Sequence, residues 1–201
     1  MAAGARDLHL HPRAADGAES LHKDDVAAAL RAVRAAVPGI PVGVTTGGWI
    51  EPDLERRLAL IGAWEEMPDH ASVNFSEEGA WRVCRLLWIT LEVDIEAGLW
   101  GEGDVERMAA SGFGGRCRRL LVETSDQDAS ERMLGALDAL GLPQERLLHG
   151  EGRETWPVLE RAAAAGHAIR VGLEDTLVLG DGGPARDNAE LVAAAAALLR
   201  P

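Results

Sequence analysis

Short β-rich runs alternate with helical stretches along the whole chain, and this alternation restricts the fold more than any other feature. The β-rich runs lie at 7–11, 41–45, 71–75, 91–95, 118–123, 146–149 and 168–173, with turn residues between them and their neighbours. Helical periodicity occupies 24–36, 53–64, 77–87, 104–110, 125–140, 155–165 and 187–199. Strands separated by whole helices pair in parallel, since a crossover returns the chain to the same end of the sheet. Seven β-then-α units in 201 residues, 47% of them apolar, predict one α/β domain spanning residues 1–201. Such a sheet either stays open and doubly wound or curls into a barrel. No Gly-x-Gly-x-x-Gly follows the first run, so the dinucleotide-binding open sheet has no support.

The positions of the polar residues favour a TIM-type (β/α)8 barrel. His9 and His11 end the first run, Thr45-Thr46-Gly47-Gly48-Trp49 follows the second, and Asn74 and Ser76 end the third. Residues 92–96 mark the fourth, Glu123-Thr124 the fifth, His149-Gly150-Glu151-Gly152 the sixth and Glu174-Asp175 the last. Parallel barrels build their sites at that C-terminal rim, where loops from many strands converge. Only seven of the eight strands of a full barrel are found.

The net charge of −13, without a basic run, argues against nucleic acid and anionic membranes as partners. Cys84 and Cys117 stand in no metal-ligand or CxxC spacing, so free thiols in a reducing cytoplasm are expected. No leader pattern opens the chain and no run reaches transmembrane length, which predicts a soluble intracellular protein. Nineteen of the twenty basic residues are Arg. The one lysine, Lys23, sits beside Asp24 and Asp25 at a helix start and is a poor Schiff-base candidate, so any carbon–carbon chemistry points to a metal as the electron sink.

A metal is also what the two ends of the chain suggest. Side chains alternate along a strand, so His9 and His11 point the same way, close enough to grip one cation. A carboxylate from the Glu174-Asp175 pair can complete the grip. Two imidazoles and one carboxylate, with a position left open, are a donor set typical of catalytic zinc.

Several separated motifs make the chain resemble the β-keto acid cleavage enzymes, whose founding activity is 3-keto-5-aminohexanoate cleavage. They are His-Leu-His-Pro-Arg at 9–13, Gly-Val-Thr-Thr-Gly-Gly-Trp-Ile at 43–50, Ala-Ser-Val-Asn-Phe at 71–75 and Glu-Ala-Gly-Leu-Trp at 96–100. Leu-Leu-His-Gly-Glu-Gly at 147–152, Arg-Val-Gly-Leu-Glu-Asp at 170–175 and Asp-Asn-Ala-Glu-Leu-Val at 187–192 follow in order. The resemblance implies a zinc-dependent (β/α)8 barrel that joins a β-keto acid to acetyl-CoA and releases acetoacetate and a new acyl-CoA by a retro-Claisen step. It also implies that the family's strand and helix before His-x-His are missing here, and an incomplete barrel is expected to associate into a homo-oligomer.

Carried over by position, the resemblance places the cation (Zn2+ or another divalent ion) on His9, His11 and Glu174, the acid/base on Asp175, an orienting arginine on Arg170 and a hydroxyl group on Thr45. Thr46, Gly48, Asn74, Ser76 and Glu96 are the expected substrate-binding positions. Asp175 follows Glu174 directly, so both face one centre only if the strand ends in a turn. Thr45 and Thr46 either act on substrate or cap a turn, and His149 is either a partner behind the site or an ordinary strand-end group. Trp49 and Trp100 either border the cavity or pack the wall. Two further functions stay open: an amidohydrolase-like metal-dependent hydrolase, which also places His-x-His on a barrel strand, and an inactive metal-binding barrel remnant.

Overall fold

The structure, a computed structural model, describes residues 3–200, apart from the side chain of Gln127. Seven strands and seven helices alternate: β1 (Leu8–Leu10), α1 (Lys23–Ala36), β2 (Val42–Thr45), α2 (Leu54–Gly62), β3 (His70–Asn74), α3 (Ala80–Arg85), β4 (Asp94–Leu99), α4 (Glu102–Ser111), β5 (Arg119–Thr124), α5 (Gln127–Ala139), β6 (Glu145–Gly150), α6 (Thr155–Ala164), β7 (Ala168–Ile169) and α7 (Asn188–Leu198). Each strand pairs in parallel with the next, in chain order from β1 to β7. The sheet curls so far that Asp7, just before β1, reaches Arg119 of β5. The fold is therefore an α/β barrel of seven βα units; among the described residues no ladder joins β7 back to β1.

The helices begin where short polar side chains take up free backbone N–H groups. Asp53 accepts from Arg56 N at 2.8 Å, Asp126 from Asp128 N at 3.0 Å and Asp187 from Glu190 N at 2.8 Å. Their buried stripes, such as Val26, Ala27 and Leu30 of α1, cover the outer face of the sheet.

Period-two alternation sorts the strands into two chemically different faces. Val42, Val44, Ala71, Val73, Ile95, Ala97, Leu99, Leu120, Val122 and Leu148 face outward into the core beneath the helices. The register aligns the other set on the inner face: His9 with Gly43, Gly43 with His70, Ser72 with Glu96, Glu96 with Arg119 and Glu123 with His149. The inner face is thus largely polar, with Leu121 and Leu147 as its apolar members.

Two elements differ from the sequence reading. The run expected as a strand at 91–95 begins instead at Asp94, because α3 continues into a π-helical turn over Leu86–Leu91. Ile89, Leu91, Val93 and Ile95 alternate like strand residues, yet Ile89 is exposed while Leu87 and Val93 fill the core, and Glu92 closes the turn at φ 55°. The shift places Glu96 in mid-strand, fully buried, rather than at the rim. The last strand was expected to reach residue 173 but pairs over Ala168–Ile169 only. Asp175 Oδ2 accepts from Gly172 N at 2.7 Å, so a local side-chain bond competes with the ladder and turns the chain.

A buried ion cluster occupies the lower interior. Arg119 bonds to Glu96 and lies 3.2 Å from Asp7, while Arg118 reaches Asp7 at 3.0 Å. The same guanidinium donates to His70 Nε2 at 3.2 Å, which identifies that nitrogen as the unprotonated one. Burial, opposed by Asp7 and assisted by Arg119, pushes the His70 pKa down to about 4. Gly43 makes room for this ring, since a Cβ there would lie 2.2 Å from His70 Nε2.

Replacing Arg119 by Met strands Glu96 in a dry interior, leaves Asp7 with Arg118 alone, and is expected to cost about 3–5 kcal/mol in urea unfolding. His70 gives a pH signature. The unfolded chain takes up a proton near 6.5, but the folded ring resists until about 4. Its contribution to stability is therefore complete above 6.5 and is lost as the pH falls from 6.5 to 4. His70→Asn should flatten that part of the stability-against-pH profile relative to the parent protein.

Candidate active site

At the C-terminal ends of the strands a cavity of about 370 Å³ gathers His9, His11, Thr45, Ser72, Asn74, Glu123, His149, Arg170, Glu174 and Asp175, with Arg13, Glu19, Trp49, Trp100 and Glu151. A second depression, of about 430 Å³, lies at the opposite end, around Arg146 and His167. It is larger but more open, whereas the first lies where parallel barrels build their sites.

β1 and the residue that follows it deliver His9 and His11 to the cavity. Their rings stand edge to face with centroids 5.3 Å apart. Burial, with Arg170 and the neighbouring imidazoles adding to it, holds the His9 pKa well below its ordinary value, so His9 keeps a free lone pair at neutral pH. His9 Nδ1 is buried without a hydrogen-bond partner, and the nearest carboxylate oxygen of Glu96, also unpartnered, is 3.9 Å away. His11 Nε2 faces Glu174 Oε2 at 4.0 Å.

The turn after β7 carries the acids. Asp175 N donates to Gly172 O at 3.0 Å, and Asn188 Oδ1 accepts from Leu173 N at 2.7 Å, tying the turn to the start of α7. This turn puts Glu174 and Asp175 on the same cavity although they are adjacent in sequence. Arg170 bonds to Glu174.

Behind Asp175 runs a line of three buried groups from three elements. Glu123 of β5 lies 3.2 Å from His149 Nδ1, and His149 Nε2 bonds to Asp175 Oδ1. Burial lowers the imidazole's proton affinity, but its bonds to Asp175 and Glu123 outweigh that and raise the pKa to about 9. His149 is therefore an imidazolium at neutral pH, pinned between two carboxylates.

Among the described residues two donor groupings bring their ligand atoms within 4.8 Å of one another, and the expected trio of His9, His11 and Glu174 is not one of them. His149, Glu174 and Asp175 form one of the two, in which His149 would give up, on the cation's arrival, the proton that its two carboxylates hold. His9, His70 and Glu96 are as close, but Arg119 already binds both Glu96 and His70 and places a positive charge there. The expected trio offers the donor types of such a site, with His9 Nδ1 unpartnered and His11 Nε2 4.0 Å from Glu174 Oε2, but its atoms are not gathered as closely as in those two groupings.

Of the expected substrate-binding positions, Asn74 lines the cavity and the others do not. Thr46 is buried and donates to Ser72 O at 2.7 Å; Gly48 N donates to Glu77 at 3.0 Å; Ser76 is exposed; Glu96 sits behind His9. Thr46 and Gly48 thus shape the loop after β2, which Arg57 and Glu77 clamp from below. Thr45 lines the cavity, its hydroxyl oxygen accepting from Gly47 N at 3.2 Å. His149 proves to be the partner behind Asp175, and both Trp49 and Trp100 border the cavity. Glu19 was not singled out by sequence. The Asp16-Gly17 turn signal, which folds residues 13–19 back on themselves, was the available clue.

Gly98 leaves space for the cavity wall: a Cβ there would meet Asn74 Oδ1 at 2.2 Å and Glu123 Oε1 at 3.1 Å. Gly98→Ala is expected to cost about 1–3 kcal/mol by forcing those side chains aside. Gly135→Ala, at an exposed helical position with nothing near its Cβ, should instead stabilise by about 0.5–1 kcal/mol. Thermal unfolding of the two variants checks both signs.

Comparison with known proteins agrees with this architecture. A solved structure, the 3-dehydroquinate dehydratase from Aquifex aeolicus VF5, superposes with a TM-score of 0.61 over 98% of this chain and 88% of that one, at 16% identity, a likeness of fold alone. A 3-keto-5-aminohexanoate cleavage enzyme of Acetoanaerobium sticklandii is 25% identical over 214 residues, covering 94% of this chain and 76% of the relative. The model of the beta-keto acid cleavage enzyme family matches residues 1–93 and 123–201. With a match over most of its length, the chain belongs to the β-keto acid cleavage enzyme family.

Proposed function

We propose that this protein is a divalent-metal-dependent enzyme, zinc being the expected ion, that condenses a β-keto acid with acetyl-CoA and releases acetoacetate and a new acyl-CoA. The observation that carries this reading is the meeting in one cavity of His9 and His11, from the end of β1, with the Arg170–Glu174–Asp175 turn after β7. His9, His11 and Glu174 would hold the cation, whose Lewis acidity drains electron density from the substrate's keto group.

Asp175 is the base that takes the proton from the carbon between keto group and carboxylate. Its Oδ1 accepts from His149 and its Oδ2 from Gly172 N, so the carboxylate is aimed before substrate arrives. The His149 imidazolium and Glu123 behind it keep a proton in line with Asp175. Arg170 is held on one side by Glu174 and presents its remaining donors to the substrate carboxylate. The Thr45 oxygen already accepts from Gly47, which leaves its hydroxyl proton to donate to a substrate oxygen. Asn74 and Ser72 line the same wall. The deprotonated carbon attacks the thioester carbonyl of acetyl-CoA and expels CoA thiolate. The thiolate adds to the substrate's original keto carbon, the bond from that carbon to the former nucleophile breaks, and the acetoacetate enolate so released takes the proton back from Asp175 as the new acyl-CoA forms.

The reading carries a cytoplasmic location and self-association. Free, buried Cys84 and Cys117 and the unjoined edges of β1 and β7 support these, and no described helix is long and apolar enough to cross a membrane.

Acetyl-CoA-dependent consumption of β-keto acids by the pure protein tests the proposal. Chelator should abolish turnover and zinc restore it, and Asp175→Asn should lower kcat by about 10²–10⁴-fold. Turnover that survives both chelator and alanine at His9, His11 and Glu174 would overturn the reading. Ester or amide hydrolysis without CoA would select the amidohydrolase alternative.

A further inference from the structure

The loop that follows β1 holds His11 in a way that nothing in the catalytic scheme accounts for. Residues 13–19 fold into a small hairpin: Arg13 and Glu19 form an antiparallel bridge, Ala14 N donates to Ala18 O at 2.8 Å, Gly17 N to Ala14 O at 2.9 Å, and Ser20 N to Pro12 O at 2.8 Å. The hairpin returns Glu19 to the side of His11, with its Oε2 3.1 Å from Nδ1. From the loop after β2, Trp49 stacks on the His11 ring, with centroids 6.0 Å apart and planes 26° apart. The Trp49 Nε1–H also donates to Glu19 Oε2 at 2.8 Å, while Arg13 lies 3.5 Å from Oε1. Gly47 permits this fold-back, because a Cβ there would sit 2.3 Å from the Trp49 ring.

We propose that Glu19 is a positioning residue for the cation site. By taking the Nδ1–H of His11, it fixes the tautomer whose Nε2 lone pair faces Glu174. The inference rests on the reading of His11 as a metal ligand and deepens it. His11 needs such help more than His9 does, since it lies one residue beyond β1 and is more exposed. An imidazole there can turn about its side-chain torsions and can carry its proton on either nitrogen. The carboxylate at its edge removes the tautomeric choice and the indole on its face removes the rotation, the arrangement by which outer groups orient metal-binding histidines.

Two measurements separate this role from mere loop support. Imidazole ¹⁵N NMR of the metal-free protein should show His11 as the Nδ1–H tautomer, Glu19→Ala should give a mixture of tautomers, and Glu19→Gln, which keeps an acceptor oxygen, should retain the parent form. Zinc titration by calorimetry should show about 10–100-fold weaker binding for Glu19→Ala and a smaller loss for Glu19→Gln. If Glu19→Ala fails to fold, Trp49→Phe, which keeps the stacked ring but deletes the N–H that holds Glu19, should still loosen zinc binding. The inference falls if Glu19→Ala, or Trp49→Phe in its place, binds zinc as tightly as the parent, or if Glu19→Gln is as weak as Glu19→Ala. A parent protein that binds no zinc sinks the metal reading and this inference together. Zinc binding lost in His11→Ala but intact in Glu19→Ala sinks this inference alone.

Discussion

Arg119 is the interaction on which the interior depends. A curled parallel sheet turns one face of every strand inward, and here that face carries acids and imidazoles rather than the branched apolar layers that usually fill a barrel. Unpaired, Asp7 and Glu96 would be charges stranded away from water. One guanidinium from β5 bonds to both and to His70, and so ties the neighbouring strands β3, β4 and β5 to the segment just before β1 at the barrel's lower end. The planar, multidentate geometry of arginine permits this, where the point charge of a lysine would not. It suits a chain whose basic residues are almost all arginine.

Above that layer, the charge pattern changes from neutralised to poised. His9 is kept neutral by burial and His149 is kept protonated by two carboxylates, although both are imidazoles on the inner face. The difference lies in what each ring touches: His9 Nδ1 has no hydrogen-bond partner, while both nitrogens of His149 face acids. One residue type thereby supplies a lone pair at one wall of the cavity and a proton at another. Environments that push like groups apart in this manner are the usual mark of acid–base work.

The cavity is assembled from chain ends. His9 and His11 come from the end of the first strand and Glu174 and Asp175 from the turn after the last, and the curl of the sheet brings them together beside Glu123 of β5 and His149 of β6. The outer loops complete it, Trp49 and Glu19 closing on His11 and the Asn188 amide at the start of α7 holding the turn that carries Glu174.

By itself the sequence determined the alternation of strands and helices and the parallel order that follows from it, and it marked His9, His11, Glu174 and Asp175 as strand-end groups, because periodicity and strand-end placement are local properties read residue by residue, while Arg170 and Thr45 came from the family resemblance. It misread the fourth strand, where apolar alternation at 89–95 mimics a strand that the π-helical turn displaces, and it overran the seventh, where the Asp175–Gly172 bond ends the ladder. Only the tertiary structure decided that Glu96 lies in the interior behind His9, that Thr46 and Gly48 shape a loop instead of lining the cavity, and that Glu123, His149 and Glu19 stand behind the reacting groups. Those outcomes depend on which side chains meet across the curled sheet. Contacts between residues 26 or 163 positions apart, such as His149 with Asp175 or His11 with Glu174, are set by register and curl, which no local pattern encodes.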